Sequence, residues 1–147
     1  MTIEYSTGSI FDCGADVLVC PVNCVGVMGK GLALEFKKRF PYVYRWYKHL
    51  CDERLLLIGW PISCEFQEKI FVLFPTKTDW RAPSNINWID EGLGVMTGIF
   101  TENNTIAIPA LGCGLGGLDW ADVEPLIEKH FADWPGRAIV FPPKEER

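Results

Sequence analysis

Two residues stand where an apolar run gives way to a loop, with side chains suited to chemistry. Asn23 ends the run VLVCPVN at 17–23, and Lys77 ends IFVLFPTK at 70–77. A lysine at a strand end in a partly desolvated cleft can act as a nucleophile, a proton carrier or a fixed charge beside phosphates. The alternative is an ordinary surface lysine. An asparagine amide both donates to and accepts from a sugar hydroxyl, or it bonds its own backbone as a turn former. The glycines after Asn23 serve no obvious packing purpose, which favours the ligand role.

Those glycines belong to the first of two glycine-rich loops, NCVGVMGKG at 23–31 and PALGCGLGG at 109–117. Glycine permits positive φ and close approach to the main chain, and exposed N–H groups at a loop or helix start favour phosphate. Two such loops in one small chain suggest a diphosphate gripped from two sides. Residues 112–117 match the dinucleotide fingerprint G-x-G-x-x-G, yet only 30 residues follow Gly117. That leaves room for one helix and one strand, with no acidic residue at a second strand end to hold a ribose, so a Rossmann domain is excluded. The first loop has Gly-Lys-Gly where a P-loop needs Gly-Lys followed by Ser or Thr, which disfavours a nucleoside triphosphatase.

The other reactive side chains carry less. The six cysteines are Cys13, Cys20, Cys24, Cys51, Cys64 and Cys113. They form no C-x-x-C pair and have too few histidines nearby for zinc, so reduced thiols and no metal are expected. Cys24 and Cys113 lie inside the glycine loops, but His49 and His130 sit in helical patterns elsewhere, which disfavours a catalytic cysteine. Asp79 and Arg81 read as a surface pair, Trp80 as a core or rim aromatic ahead of a base-stacking platform, and Asp119 as a helix cap ahead of a catalytic carboxylate. Net charge is −5, against a broad electrostatic grip on nucleic acid. It does not exclude a nucleotide held by backbone amides. Lys37, Lys38, Arg39, Arg45 and Lys48 read as a solvated helix face.

Positioning these residues requires strands and helices in alternation. Residues 17–22, 70–74, 105–109 and 138–141 read as buried strands, 3–6 as a weaker edge strand, and 61–66 with 69–74 as a hairpin turning at Gln67-Glu68. Leu32, Phe36 and Phe40 recur at helical spacing until Pro41, which starts a helix carrying Val43, Tyr47 and Leu50. A longer helix carries Ile86, Ile89, Leu93, Met96 and Phe100 with Ser84 as its cap. The last carries Val123, Ile127, His130 and Phe131. Pro125 fits its first turn if Asp122 caps it, while Asp119 would make the start irregular. The 147 residues therefore form one domain, a three-layer α/β fold whose ligand sits beyond the carboxyl ends of the strands. Apolar runs fall far short of the roughly 20 residues that span a bilayer, and the start MTIEYS lacks signal-peptide character. A cytoplasmic protein without membrane association is expected.

The combination of GSI at 8–10, ADVLVCPVN at 15–23, VGVMGKGLA at 25–33, FPTK at 74–77 and PALGCGLGGLDW at 109–120 resembles the macro domains. The likeness covers nearly the whole chain, and its subgroup looks like the macro domains of DarG-type antitoxins, which remove ADP-ribose from thymidine bases of DNA. The terminal ADP-ribose protein glycohydrolase is a more distant relative. The resemblance implies an α/β/α macro domain over 1–147 with a mixed six-stranded sheet, ADP-ribose across the strand ends and no cofactor. It places Ser9, Ile10 and Phe141 near adenine. Asn23 with Gly26, Val27, Met28, Gly29, Lys30 and Gly31 would surround the distal ribose. Pro109, Ala110, Leu111, Gly112, Cys113, Gly114, Leu115, Gly116 and Gly117 would hold the diphosphate. Lys77 matches the lysine considered catalytic in this subgroup, with Asn23 orienting the ribose.

Three departures limit what carries over. Ser9 replaces an adenine-recognising Asp, Cys20 replaces an Asn of the usual strand pattern, and Gly116 replaces the catalytic Asp of the protein glycohydrolase. The DarG-like form also has glycine there. Expected partners are ADP-ribose, ADP-ribosylated DNA or protein, DNA touched through the modified nucleotide, and a toxin that is an ADP-ribosyltransferase. The expected reaction is hydrolysis of the glycosidic link from ADP-ribose to a DNA base. The competing readings are a non-catalytic ADP-ribose-binding module, an ADP-ribose 1″-phosphate phosphatase and a deacylase of ADP-ribosylated acidic side chains.

Overall fold

The computed structural model describes residues 2–144. Its strands are β1 (Thr2–Tyr5), β2 (Val17–Asn23), β3 (Ile62–Phe66), β4 (Lys69–Lys77), β5 (Thr105–Ile108) and β6 (Arg137–Val140). Its helices are α1 (Gly31–Arg39), α2 (Pro41–Asp52), α3 (Ile86–Ile99) and α4 (Trp120–Phe131), with a 3-10 turn over Ile10–Asp12. One six-stranded sheet runs in the order β1-β6-β5-β2-β4-β3. Every neighbouring pair is parallel except β3 with β4.

Alternation along β2 shows why helices cover both faces. Val17 and Val19 pack with Ile89, Leu93 and Met96 of α3 and Val123, Ile127 and Phe131 of α4. Leu18, Cys20 and Val22 pack with Phe36 of α1 and Val43 and Tyr47 of α2. A strand buried on both sides must be apolar throughout, as VLVCPV is. The three-layer α/β/α arrangement with a mixed sheet follows. Gly92 of α3 lies so close to Phe74 of β4 that a Cβ there would meet the ring at 2.4 Å. Among the described residues no helix is long and apolar enough to cross a membrane.

Two details of the sheet shape the site. The β2–β5 ladder holds for only two register pairs, Val17 with Ile106 and Leu18 with Ala107, so the strands part towards their carboxyl ends. A crevice opens there, and Pro21, which has no N–H to donate, is tolerated in a central strand because β5 is not paired with it. On the other side of β2 a bulge separates Val22, paired with Pro75, from Asn23, paired with Lys77. The surplus residue is Thr76, buried, with its hydroxyl 3.5 Å from the Val22 carbonyl.

The hairpin forms as expected: Gln67 and Glu68 have φ of 50° and 69°, the paired positive values of a two-residue turn. β4 runs three residues past the expected end at 74, because Pro75 sits at the bulge rather than ending the strand. Two caps differ from expectation. Asn85, not Ser84, caps α3 and accepts from the Asn87 amide, while the Ser84 N–H is taken by the Gly116 carbonyl at 3.0 Å. Asp119, not Asp122, caps α4 and accepts from the Ala121 amide. Pro125 consequently lies in the second turn, and the helix forgoes one bond there.

Candidate functional site

The crevice between β2 and β5 widens into a cleft of about 1470 Å³. Its walls come from the segment 7–12, the ends of β2 and β4, both glycine loops and residues 141–144. Three distant parts of the chain thus converge on one rim, as parallel strand ends require.

Asn23 organises the first loop. Its Nδ2 donates to the Val27 carbonyl at 2.8 Å, and its Oδ1 accepts from the Val25 and Val27 amides at 3.1 and 3.4 Å. Tyr47 of α2 donates its hydroxyl to the same Oδ1 at 2.6 Å and approaches the Asn23 carbonyl at 3.0 Å. The turn-forming role and a place on the cleft wall coexist. With Oδ1 occupied, the amide presents its remaining Nδ2 hydrogen, a donor only. Gly26 has φ of +86° and Gly31 +58°, which let the loop turn back and enter α1. Lys30 at the cap position offers no side-chain bond. The first-turn amides of α1 therefore stay open to an anion.

In the second loop, tight turns close from Cys113 to Ala110 and from Gly117 to Gly114, and the Leu118 amide closes the wider loop on the Gly112 carbonyl. Among the described residues the amides of Gly112, Gly114, Leu115 and Gly116 have no acceptor, and all four residues line the cleft. A run of unpaired N–H groups on a cleft wall is chemically suited to an anion. Gly116 is fixed by sterics: a Cβ there would meet the Gly112 carbonyl oxygen and Ser84 Oγ, each at 2.4 Å. A carboxylate-bearing side chain at this position has no room. Ser84 Oγ is the one buried side-chain polar atom without a hydrogen-bond partner among the described residues.

Lys77 joins the two halves. From the end of β4 its Nζ donates to the carbonyls of Trp80 and Leu115, each at 3.3 Å. An ammonium has three N–H donors, so one remains for a ligand. Arg81 is held by Asp79, with Nε 3.2 Å from Oδ1 and a second nitrogen 3.1 Å from Oδ2, and its guanidinium pulls the Asp79 carboxyl below the usual carboxylate range. Five cationic side chains line the cleft against two carboxylates, Asp12 and Glu35, a local excess opposite in sign to the whole chain. Such a cleft suits an anion.

The remaining expected site residues divide. Ser9, Ile10, Val27, Gly29, Lys30, Pro109, Ala110, Cys113 and Phe141 line the cleft. Ser9 Oγ accepts from the Phe11 amide at 3.1 Å, capping the 3-10 turn beside it. Gly26, Met28, Leu111 and Gly117 do not line it. Met28 and Leu111 are buried in the two halves of the core, and Gly26 backs onto Lys48 and Cys51. Gly117, with φ of +79°, turns the chain towards α4. Burial pushes the thiols of Cys24 and Cys113 up to about 11, which leaves neither as a neutral-pH nucleophile. His130 pairs with Asp90 at 2.6 Å on the α3–α4 side. No group of three metal-ligating side chains occurs among the described residues. Tyr47, Asp12, Glu35 and Arg39 were not legible as site residues. In the sequence Tyr47 falls on the same helical stripe as Val43 and Leu50, and its hydroxyl carries no separate signal.

The geometry agrees with what comparison finds. The Macro domain family model matches residues 19–127. A DNA ADP-ribosyl glycohydrolase of Mycobacterium tuberculosis is 40% identical over 148 residues, covering 96% of this chain and 42% of that protein. The chain thus spans under half the length of such curated relatives. The solved macrodomain of Mycobacterium tuberculosis DarG superposes with a TM-score of 0.93 at 40% identity, covering 97% of this chain and 98% of the other. Thermosipho africanus DarTG in complex with ADP-ribose gives 0.91 at 34% identity, covering 99% of this chain and 43% of that one. A crevice at parting parallel strands, two amide-rich glycine loops and a family match over most of its length place this chain in the macro domain family.

Proposed function

We propose that this domain binds ADP-ribose along the cleft and hydrolyses the N-glycosidic link joining it to a DNA base, thymidine first among candidates. The observation that carries the reading is Lys77 Nζ, held at 3.3 Å from the Trp80 and Leu115 carbonyls with one donor left over. The names of the 40%-identical relative and of the ADP-ribose complex support the ligand and the reaction class.

The diphosphate lies on the open amides of Gly112, Gly114, Leu115 and Gly116, and Asn23 gives its Nδ2 hydrogen to a hydroxyl of the distal ribose. The bond from the anomeric carbon to the base nitrogen breaks, with its electron pair leaving on the base. Lys77 supplies the departing base with a proton, water adds to the anomeric carbon, and the amine recovers the proton that water sheds. The transferase that writes the mark is the expected partner, as in DarG-type antitoxins.

The test is a hydrolysis panel with ADP-ribosylated thymidine DNA, guanosine DNA and acidic-residue peptide, run with the parent protein and Lys77→Ala. Release from thymidine DNA that depends on Lys77 supports the reading. Tight ADP-ribose binding with no release from any substrate would make the domain a binding module instead.

A further inference from the structure

The two residues whose carbonyls hold Lys77 also carry exposed apolar side chains. Trp80 is 53% exposed and Leu115 is 69% exposed, the most exposed of the large hydrophobic residues described. Both line the cleft. Single exposed apolar residues are common, but two of them flanking one amine at a cleft mouth form a surface with a direction.

The indole is braced. The Arg81 guanidinium lies 5.2 Å from the Trp80 ring centroid. Asp79 holds that guanidinium by two side-chain bonds and accepts the Arg81 amide at 3.0 Å. Asp79, Arg81 and Trp80 therefore make a local stack in which the guanidinium already has a carboxylate partner. What it shows the cleft is an aromatic face beside that paired guanidinium.

We propose that Trp80 and Leu115 form an acceptor subsite in which the nucleobase carrying ADP-ribose stacks on the indole and contacts the leucine, with Lys77 between them at the bond to be broken. This rests on the reading of the domain as a hydrolase of base-linked ADP-ribose. It adds the residues that tell one acceptor class from another. A planar, uncharged base gains stacking energy on such a platform. A glutamate or aspartate acceptor is joined through an uncharged ester on an aliphatic chain and has no ring to stack on the indole. The subsite therefore selects for a base.

Binding in the Lys77→Ala background tests this without turnover. The probes are free ADP-ribose, a trinucleotide ADP-ribosylated on its central thymine, and a peptide ADP-ribosylated on glutamate. The expected result is that the trinucleotide binds more tightly than ADP-ribose, and that adding Trp80→Ala removes roughly 10- to 100-fold of its affinity, the usual loss for a stacking aromatic. Trp80→Phe should retain most of the gain, and Leu115→Ala should lose part of it. For the Trp80 variants, ADP-ribose and peptide affinities should stay within about twofold, and thermal unfolding should match the background.

The proposal is overturned if the trinucleotide binds no better than ADP-ribose. It is equally overturned if Trp80→Ala leaves the difference intact or lowers all three affinities alike. Failure of the hydrolase reading shows separately, as absence of release by the parent protein. The binding comparison does not depend on that result.

Discussion

Asn23 and Lys77 are register partners across the parallel ladder of β2 and β4, brought opposite one another by the bulge at Thr76. Partners in a ladder share a face, so an amide that presents one donor and an amine with one donor to spare meet at the same strand ends. Both positions were legible because each closes an apolar run. Their pairing was not, because a bulge is invisible to a pattern of alternating residues.

Replacing Lys77 by alanine should lower the rate of ADP-ribose release by roughly 10² to 10⁴, the range for general acid–base help, while ADP-ribose affinity changes little. Lys77→Arg keeps the charge but does not exchange its proton at working pH. Activity at the alanine level in Lys77→Arg would support proton transfer. Restored activity would instead make charge alone sufficient.

Gly116→Ala should disturb the second loop, since its Cβ falls 2.4 Å from the Gly112 carbonyl oxygen and from Ser84 Oγ. Overpacking of this kind costs about 1–3 kcal/mol. A melting point lower by several degrees and weaker ADP-ribose binding are expected from thermal unfolding and titration. Gly116→Asp should fare worse and gain no activity on modified protein.

Tyr47→Phe removes the 2.6 Å bond to Asn23 Oδ1 and leaves that oxygen with only the Val25 and Val27 amides. Loss of about 1–2 kcal/mol in stability is expected for a buried hydrogen bond with a partner left behind. ADP-ribose binding should weaken severalfold, because the amide is no longer held with its donor outward. Unchanged affinity in a calorimetric titration would show that the loop alone orients Asn23.

Alkaline pH should destabilise the fold. Burial raises the Cys24 and Cys113 thiols from 9.0 to about 11, so between those values the unfolded chain loses protons that the folded chain keeps. A raised pKa contributes stability below the unfolded value and loses it as pH rises through the folded one. Denaturant midpoints should fall from pH 9 to 11, and Cys24→Ser with Cys113→Ser should lessen that fall, with the Cys20 and Cys51 thiols, raised by burial in the same sense, contributing to what remains. Both thiols should alkylate slowly at neutral pH.

The layers and the converging loops could be read from the sequence because burial on both faces demands continuous apolar runs, and helices demand a different period. What escaped reading was decided by tertiary contact. Ser84 has the chemistry of a cap, yet its amide is taken by Gly116 and the cap passes to Asn85. Met28 and Leu111 sit within glycine loops but turn into the core. Asn23 offered two roles that looked exclusive, and Tyr47, reaching from another helix, makes them compatible.

The early parting of β2 and β5 ties occupancy to folding. The two glycine loops leave strands far apart in sequence, and only two register pairs zip those strands together below them. A ligand spanning both loops bridges that seam, and it binds only when the seam is formed. Ligand at 100 times its dissociation constant adds about 2.7 kcal/mol to a fold that alone can bind it. In the empty domain the amides of β2 and β5 beyond those two pairs should exchange faster than those within them, and ADP-ribose should slow them like a rivet set across the gap.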